Sequence, residues 1–141
     1  MDRIVTGGQR FADSRGRQRL FHGINLVHKG TPRPDGTIDY VAPWGAREIA
    51  QFAEWGFNLV RLGVIWDALE PQPGVYDEAY LAQTAALLDA CATHGLYAML
   101  DMHQDLYSAG FSDGAPAWAT VTKAPFDATA LWSDAYLTSP A

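Results

Sequence analysis

Asp101, His103 and Asp105 occupy alternate positions near the end of the stretch Leu96–Tyr97–Ala98–Met99–Leu100–Asp101–Met102–His103–Gln104–Asp105–Leu106–Tyr107–Ser108. The stretch opens as a continuous apolar run after a glycine, the pattern of a strand buried on both faces in a parallel sheet. It then turns abruptly into ionisable groups. While the chain stays extended, residues two apart point to the same side, so two carboxylates and an imidazole would share one rim. Such a line can orient a sugar through hydrogen bonds, ligate a divalent ion through hard oxygens and imidazole, or cap a strand end. No second histidine pair stands at ligand spacing; His22, His28 and His94 are scattered.

Arg61 interrupts another apolar run, Phe57–Ile65. A permanently charged guanidinium on a buried strand needs a carboxylate partner. Two readings follow: an ion pair that closes the interior, or an arginine that keeps a catalytic carboxylate ionised and oriented. Trp66 closes the same strand, and Trp44 and Trp118 fall in or near loops that follow strands. Indole faces stack on the apolar CH surface of pyranose rings, so Trp66 and Trp118 are candidate substrate contacts, with core packing as the alternative. Trp55 is expected in the core, and Trp132 has no assignable place. A glycosidase of the usual kind needs two carboxyl groups flanking the scissile bond. The glutamates are Glu48, Glu54, Glu70 and Glu78, and none stands at a strand end as a persuasive acid or nucleophile. Glu70, before Pro71, reads as a loop anchor.

The elements that position these groups follow from turn chemistry and period. Arg3–Thr6 and Gln9–Asp13 read as short strands around Gly7–Gly8, and Gln18–Leu26 as a further strand after a turn at residues 14–17. A loop rich in Pro and Gly runs from Lys29 to about residue 42. Pro43 is expected in the first turn of a helix whose stripe is Ile49, Phe52, Ala53 and Trp55, ended by Gly56. After the Phe57–Ile65 strand and a loop with Pro71, Pro73 and Gly74, Asp77 caps a helix over Glu78–His94. Leu81, Thr84, Leu88 and Cys91 form its expected buried face, and Gly95 stops it. Connections are short from helix to strand and long from strand to helix. That asymmetry suits a (β/α)8 barrel, whose functional loops follow the strands, better than a doubly wound sheet. The lack of a Gly-x-Gly-x-x-Gly turn argues against a dinucleotide-binding version.

Composition narrows the class further. Of the 141 residues, 48% are hydrophobic, enough for a packed core. A formal net charge of −6 and scattered cations argue against nucleic acid as a partner. No apolar run approaches the ~18 residues that a membrane span needs. The opening residues carry neither a basic n-region nor an apolar h-region, and the compartment stays open. Cys91, the single cysteine, excludes an intrachain disulfide and reads as a small core residue. A complete barrel takes roughly 200 residues or more. The chain is therefore expected to be the N-terminal part of an α/β (β/α)8 TIM barrel. That part comprises an N-terminal β-hairpin over 1–22, the first three strands and two helices over 23–108, and a loop region over 109–141.

Three stretches then resemble glycoside hydrolase family 5. They are Arg19–Leu20–Phe21–His22–Gly23–Ile24–Asn25, Gly56–Phe57–Asn58–Leu59–Val60–Arg61–Leu62, and Trp66 through Glu70–Pro71–Gln72–Pro73–Gly74–Val75–Tyr76–Asp77. Within that family, Leu100–Ser108 together with Gly114–Ala115–Pro116–Ala117–Trp118–Ala119–Thr120 is similar to endoglycoceramidases and related glucosylceramidases. The resemblance runs from about Ile4 to Thr120, and the joint order and spacing of its motifs are specific. It implies a (β/α)8 barrel and a retaining hydrolase acting on β-linked glycosides of ceramide, with no cofactor or metal.

By the same resemblance, Arg61 supports the nucleophile, Asp101 and His103 bind the sugar next to the scissile bond, and Lys29 reaches the glycone. Asp105, Trp66 and Trp118 are carried beside them as substrate contacts. The family's acid/base glutamate ends the fourth barrel strand and its nucleophile ends the seventh. Neither position occurs here, so the chain alone is expected to be inactive, as a fragment of a longer enzyme. A glycan or glycolipid is the expected partner, with peripheral lipid contact; oligomeric state is open. The competing classes are a metal-dependent barrel hydrolase using Asp101, His103 and Asp105, and a non-catalytic carbohydrate- or lipid-binding module.

Overall fold

Gly56 and Gly95 adopt left-handed φ angles of 83° and 71°. Each ends a helix and releases the chain into a strand, a conformation glycine reaches without Cβ strain. These two turns fix the repeating unit of the fold. In the computed structural model, which describes residues 1–106, 108–110 and 112–121, the chain begins with strands β1 (Ile4–Gly7), β2 (Arg10–Asp13) and β3 (Gln18–Arg19). These pair antiparallel in the order β1-β2-β3, a three-stranded meander where a two-stranded hairpin was expected. Strand β4 (Gly23–Leu26) is followed by the small hairpin β5 (Thr31–Pro32) and β6 (Ile38–Asp39). Helix α1 (Ala46–Glu54), strand β7 (Leu59–Ile65), the one-turn helix α2 (Trp66–Leu69), helix α3 (Glu78–Thr93) and strand β8 (Tyr97–His103) complete the elements, with a 3-10 turn at Ala117–Ala119.

The predicted strand over Gln18–Leu26 is two strands. β3 belongs to the meander, whereas β4 joins β7 and β8 in a parallel sheet of order β4-β7-β8. The break is satisfied by one side chain: Asn58 accepts from the His22 N–H at 3.0 Å and donates to the Leu20 carbonyl at 2.8 Å. A local pattern of apolar residues gives no sign that the chain changes sheets there.

Register sets which residues face which way. Asn25 pairs with Arg61 and Arg61 with Met99, while Gly63 pairs with Asp101 and Ile65 with His103. The even-numbered Val60 and Leu62 turn toward the helices and join Leu26, Ile49, Phe52, Leu87, Ala90, Cys91 and Leu96 in the core. The odd-numbered residues of β7 and β8, Arg61, Asp101 and His103 among them, share the opposite face. Burial pushes the Cys91 thiol pKa up, in keeping with a packed, unreactive cysteine.

Several packing expectations are corrected. Helix α1 begins at Ala46, with Gly45 as N-cap, so Pro43 lies upstream of the helix. Its start is set by Glu48, which accepts from the Gly45 N–H at 2.8 Å. Trp55 is 62% exposed and leans on the rings of Phe52 and Phe57. At ~100° per residue it lies about 120° around the helix from Ile49, off the buried stripe. On α3 the buried residues are Leu87, Ala90 and Cys91, whereas Leu81 is exposed. Tyr80 and Thr84 carry the stripe back toward the N-terminus, and the Tyr80 hydroxyl accepts from the Ile65 N–H at 3.0 Å. The cap is as expected: Asp77 accepts from the Tyr80 N–H. Finally, β8 is not covered on both faces, for Leu100 and Met102 are more than half exposed. It is an edge strand of the described sheet. Most of the loop region expected over 109–141, and Trp132 with it, lies outside the described residues.

Gly23 is packed so closely that a Cβ there would meet the Leu59 carbonyl oxygen. Gly23→Ala should therefore disrupt the β4–β7 pairing and cost about 3 kcal/mol by the usual penalty for overpacking. Urea unfolding followed by circular dichroism checks this; a midpoint equal to that of the parent chain would contradict the register.

Candidate functional site

Arg61 and Asp101 lie diagonally across the β7–β8 register, and the guanidinium Nη2 meets Asp101 Oδ2 at 2.5 Å. The same Oδ2 lies 3.2 Å from His103 Nδ1. A carboxylate can only accept, so Nδ1–H is the donor of this bond. Asp101 thus spends one oxygen on two donors. Its Oδ1 has no hydrogen bond among the described residues and is not buried, and it stands as an open acceptor on the rim.

Beyond His103 the chain turns back. Leu106, fully buried, takes φ = 55°, a left-handed conformation that costs free energy for a residue with a Cβ and persists only where surroundings hold it. The turn leaves Asp105 at the rim, with Oδ1 3.9 Å from His103 Nε2. Lys29, three residues after β4, ion-pairs with Asp105 Oδ2 and lies 3.7 Å from Asp113 Oδ2. The Asp105 bond, and to a lesser degree Asp113, raises the Lys29 pKa above the ordinary lysine value. Lys29, Arg61, Asp101, His103 and Asp105 are therefore gathered into one continuous line of contacts. Asp113 belongs to it too, an acidic residue of an irregular loop that no periodic pattern marks. His103, Asp105 and Asp113 each bring a ligand-type atom within 4.8 Å of the others. Asp101, which the metal reading used, lies outside that group and is engaged by Arg61 and His103.

Trp66 and Trp118 form a second cluster, their rings edge-to-face at 5.7 Å. Glu70 ties both: Trp66 Nε1–H donates to Glu70 Oε2 at 2.8 Å, Trp118 Nε1–H to the Glu70 carbonyl at 3.0 Å. Glu70 Oε1 also accepts from the Gly74 N–H at 2.8 Å. Glu70 is a loop anchor, as its place before Pro71 suggested, and its indole partner holds its carboxyl below the usual glutamate range. The two clusters are joined through the backbone, where the Asp67 N–H donates to the Gly114 carbonyl at 2.9 Å. Trp44 is elsewhere: it packs against the core and the His28 ring. None of the glutamates supplies a paired carboxyl at the rim, for Glu48 caps its own helix, Glu54 bonds Gln51, and Glu78 lies in the first turn of α3.

A parallel β/α sheet with its polar groups gathered where the strands end, beside a pair of fixed indoles, is the arrangement in which (β/α)8 barrels build their sites. The chain belongs to the Cellulase family (glycosyl hydrolase family 5), whose profile matches residues 31–136. It is 41% identical over 118 residues to endoglycoceramidase I of Rhodococcus hoagii, covering 82% of this chain and 23% of that protein. It is 39% identical over 140 residues to a glucosylceramidase of Cryptococcus neoformans, covering 88% of this chain and 19% of that protein. Among solved structures it is similar to the ganglioside GM3 complex of endo-glycoceramidase II from a Rhodococcus species, at 32% identity and a TM-score of 0.71, covering 89% of this chain and 30% of that one. The chain thus spans about a fifth to a quarter of the length of the curated relatives it matches, and its sheet is a three-stranded portion of their TIM barrel.

Two outcomes follow from this geometry. Arg61→Met leaves the Asp101 carboxylate without its cation and should cost about 1–2 kcal/mol, the partly exposed setting moderating the loss; urea unfolding of parent and variant measures it. For Glu70 the sign is set by a folded-state pKa lower than the unfolded one. Its contribution is full above the ordinary glutamate value of about 4.3 and disappears as pH falls through the lowered value. The thermal midpoints of parent and Glu70→Gln chains should therefore differ at neutral pH and converge in acid.

Proposed function

We propose that this chain is the N-terminal portion of a retaining glycosidase that cleaves the β-glycosidic bond of glycosphingolipids, releasing oligosaccharide or glucose from ceramide. In this reading Asp101 and His103 form the floor of the subsite next to the scissile bond. Asp101 Oδ1 is open to a sugar hydroxyl, while Oδ2 is held by Arg61 and His103. Arg61 also stands where it can support a nucleophilic carboxylate from another strand. Lys29 and Asp105 border the glycone side, and Trp66 and Trp118 offer an apolar wall to a pyranose face. The observation that carries the reading is the shared Asp101 oxygen, which holds this carboxyl in one orientation and leaves Oδ1 aimed at the rim.

Retention needs an acid/base and a nucleophile about 5–5.5 Å apart. The glutamates of the described residues are committed elsewhere, so both groups are assigned to parts of the enzyme beyond these strands. The chain's own contribution is binding and orientation, which lower a barrier by fixing the reacting sugar in place. The names of the similar proteins, endoglycoceramidase and glucosylceramidase, support the substrate class. The metal-hydrolase reading is less well supported: Asp101 is engaged, and the ammonium of Lys29 already supplies the cation between Asp105 and Asp113.

Saturation-transfer NMR on the 141-residue chain with lactose tests the reading. Transfer to the glucose ring protons is expected, with loss in Asp101→Asn and strong reduction in His103→Ala. The pure chain should release no sugar from lactosylceramide. A folded chain that transfers nothing to lactose, or one that hydrolyses the lipid unaided, would contradict the proposal.

A further inference from the structure

Asp113 is 1% exposed, yet among the described residues only one of its carboxylate oxygens is hydrogen-bonded. Oδ1 accepts from the Asp105 N–H at 3.0 Å. Oδ2 has no hydrogen bond and faces the Lys29 ammonium at 3.7 Å. A buried carboxylate left half-satisfied is costly unless its charge is used. Backbone bonds among the described residues on either side hold it in place. Asp105 and Asp113 form an antiparallel bridge, Ser112 N–H donates to the Ser108 carbonyl at 3.0 Å, and Ala109 N–H to the Ala115 carbonyl at 2.8 Å. Asp113 is thus held inside a folded-back loop, and its free oxygen points at a side chain from a different loop, the one after β4.

We infer that Asp113 is a positioning residue of the rim: one oxygen fixes the backbone of Asp105, and the charge of the other draws the Lys29 ammonium into place against the Asp105 carboxylate. Lys29 has three N–H donors and a half-exposed side chain. With Asp105 and Asp113 on its inner side, an outward donor remains for a ligand hydroxyl. Among the described residues, the charged or titratable groups facing this ammonium are Asp105 and Asp113, with His103 beyond Asp105. The functional meaning of the arrangement rests on the glycan-binding reading above; the positioning itself does not.

The substitution Asp113→Asn separates the two tasks, because the amide keeps an oxygen for the Asp105 N–H and loses the charge facing Lys29. The chain has only two lysines, Lys29 and Lys123, so 13C-lysine labelling gives two resolvable Cε titrations on the full 141-residue chain. In the parent, Lys29 should titrate above the ordinary lysine value of about 10.4. In Asp113→Asn its midpoint should fall by about 0.7 pH unit, the effect of one charge ~4 Å away under water-like screening. Saturation transfer to lactose should fall several-fold in the same variant. An unmoved Lys29 midpoint in folded Asp113→Asn would overturn the inference. So would a parent Lys29 that titrates at the ordinary value, a result that needs no variant to fold. A shifted Lys29 with unchanged lactose transfer would uphold the positioning role and count against the glycan-binding reading instead.

Discussion

The organising constraint is a guanidinium on a sheet strand that has to be neutralised from the next strand. Arg61 cannot shed its charge, and the register that pairs it with Met99 places Asp101 one diagonal step away. Once Asp101 is drawn onto the guanidinium, the same oxygen accepts a hydrogen bond from the His103 Nδ1–H and so fixes the orientation of the ring. Three side chains from two strands are then mutually fixed, and the carboxyl that results is oriented and half-open to the rim. A slip of one residue in β7–β8 pairing would turn Asp101 to the helix side and undo all of it.

Around this fixed line, function is distributed over loops that the strands hold together. The post-β4 loop brings Lys29, the post-β7 turn brings Trp66 and Glu70, and the post-β8 loop brings Asp105, Asp113 and Trp118. These loops are not independent. Glu70 holds both indoles, the Asp67–Gly114 backbone bond ties the second loop to the third, and Lys29 ties the first to the third. Catalytic barrels concentrate their variable chemistry at this end of the strands because the packed scaffold below fixes the geometry. Here the scaffold is the Val60, Leu62, Phe52 and Leu87 layer between sheet and helices.

Much of the scaffold was legible in residue order. Gly56 and Gly95 mark both helix ends, Asp77 marks a helix start, and the short helix-to-strand connections imply parallel strands. Local pattern and tertiary context part company at three places. The Gln18–Leu26 run looks like one strand, but Asn58, distant in sequence, lets the chain cross between sheets. On α3 the apolar residues are so many that period alone did not fix the phase of the buried stripe, and the Tyr80 hydroxyl bonded to Ile65 settles it. Trp55 has the side chain of a core residue, yet it follows the last helical position and stands off the stripe.

The residue types at the rim were legible as well, because an acid–imidazole–acid alternation and a lone arginine on apolar strands are rare enough to stand out. Sequence order alone determined that Asp101 and His103 share a face, since a strand's two-residue period imposes it. Only the tertiary structure decided which charges meet. The pairing of Arg61 with Asp101, the capture of Lys29 by the post-β8 loop, and the entry of Asp113 into the site all depend on strand register and loop closure between distant segments. Such contacts obey distances in space, and no periodicity along the chain encodes them.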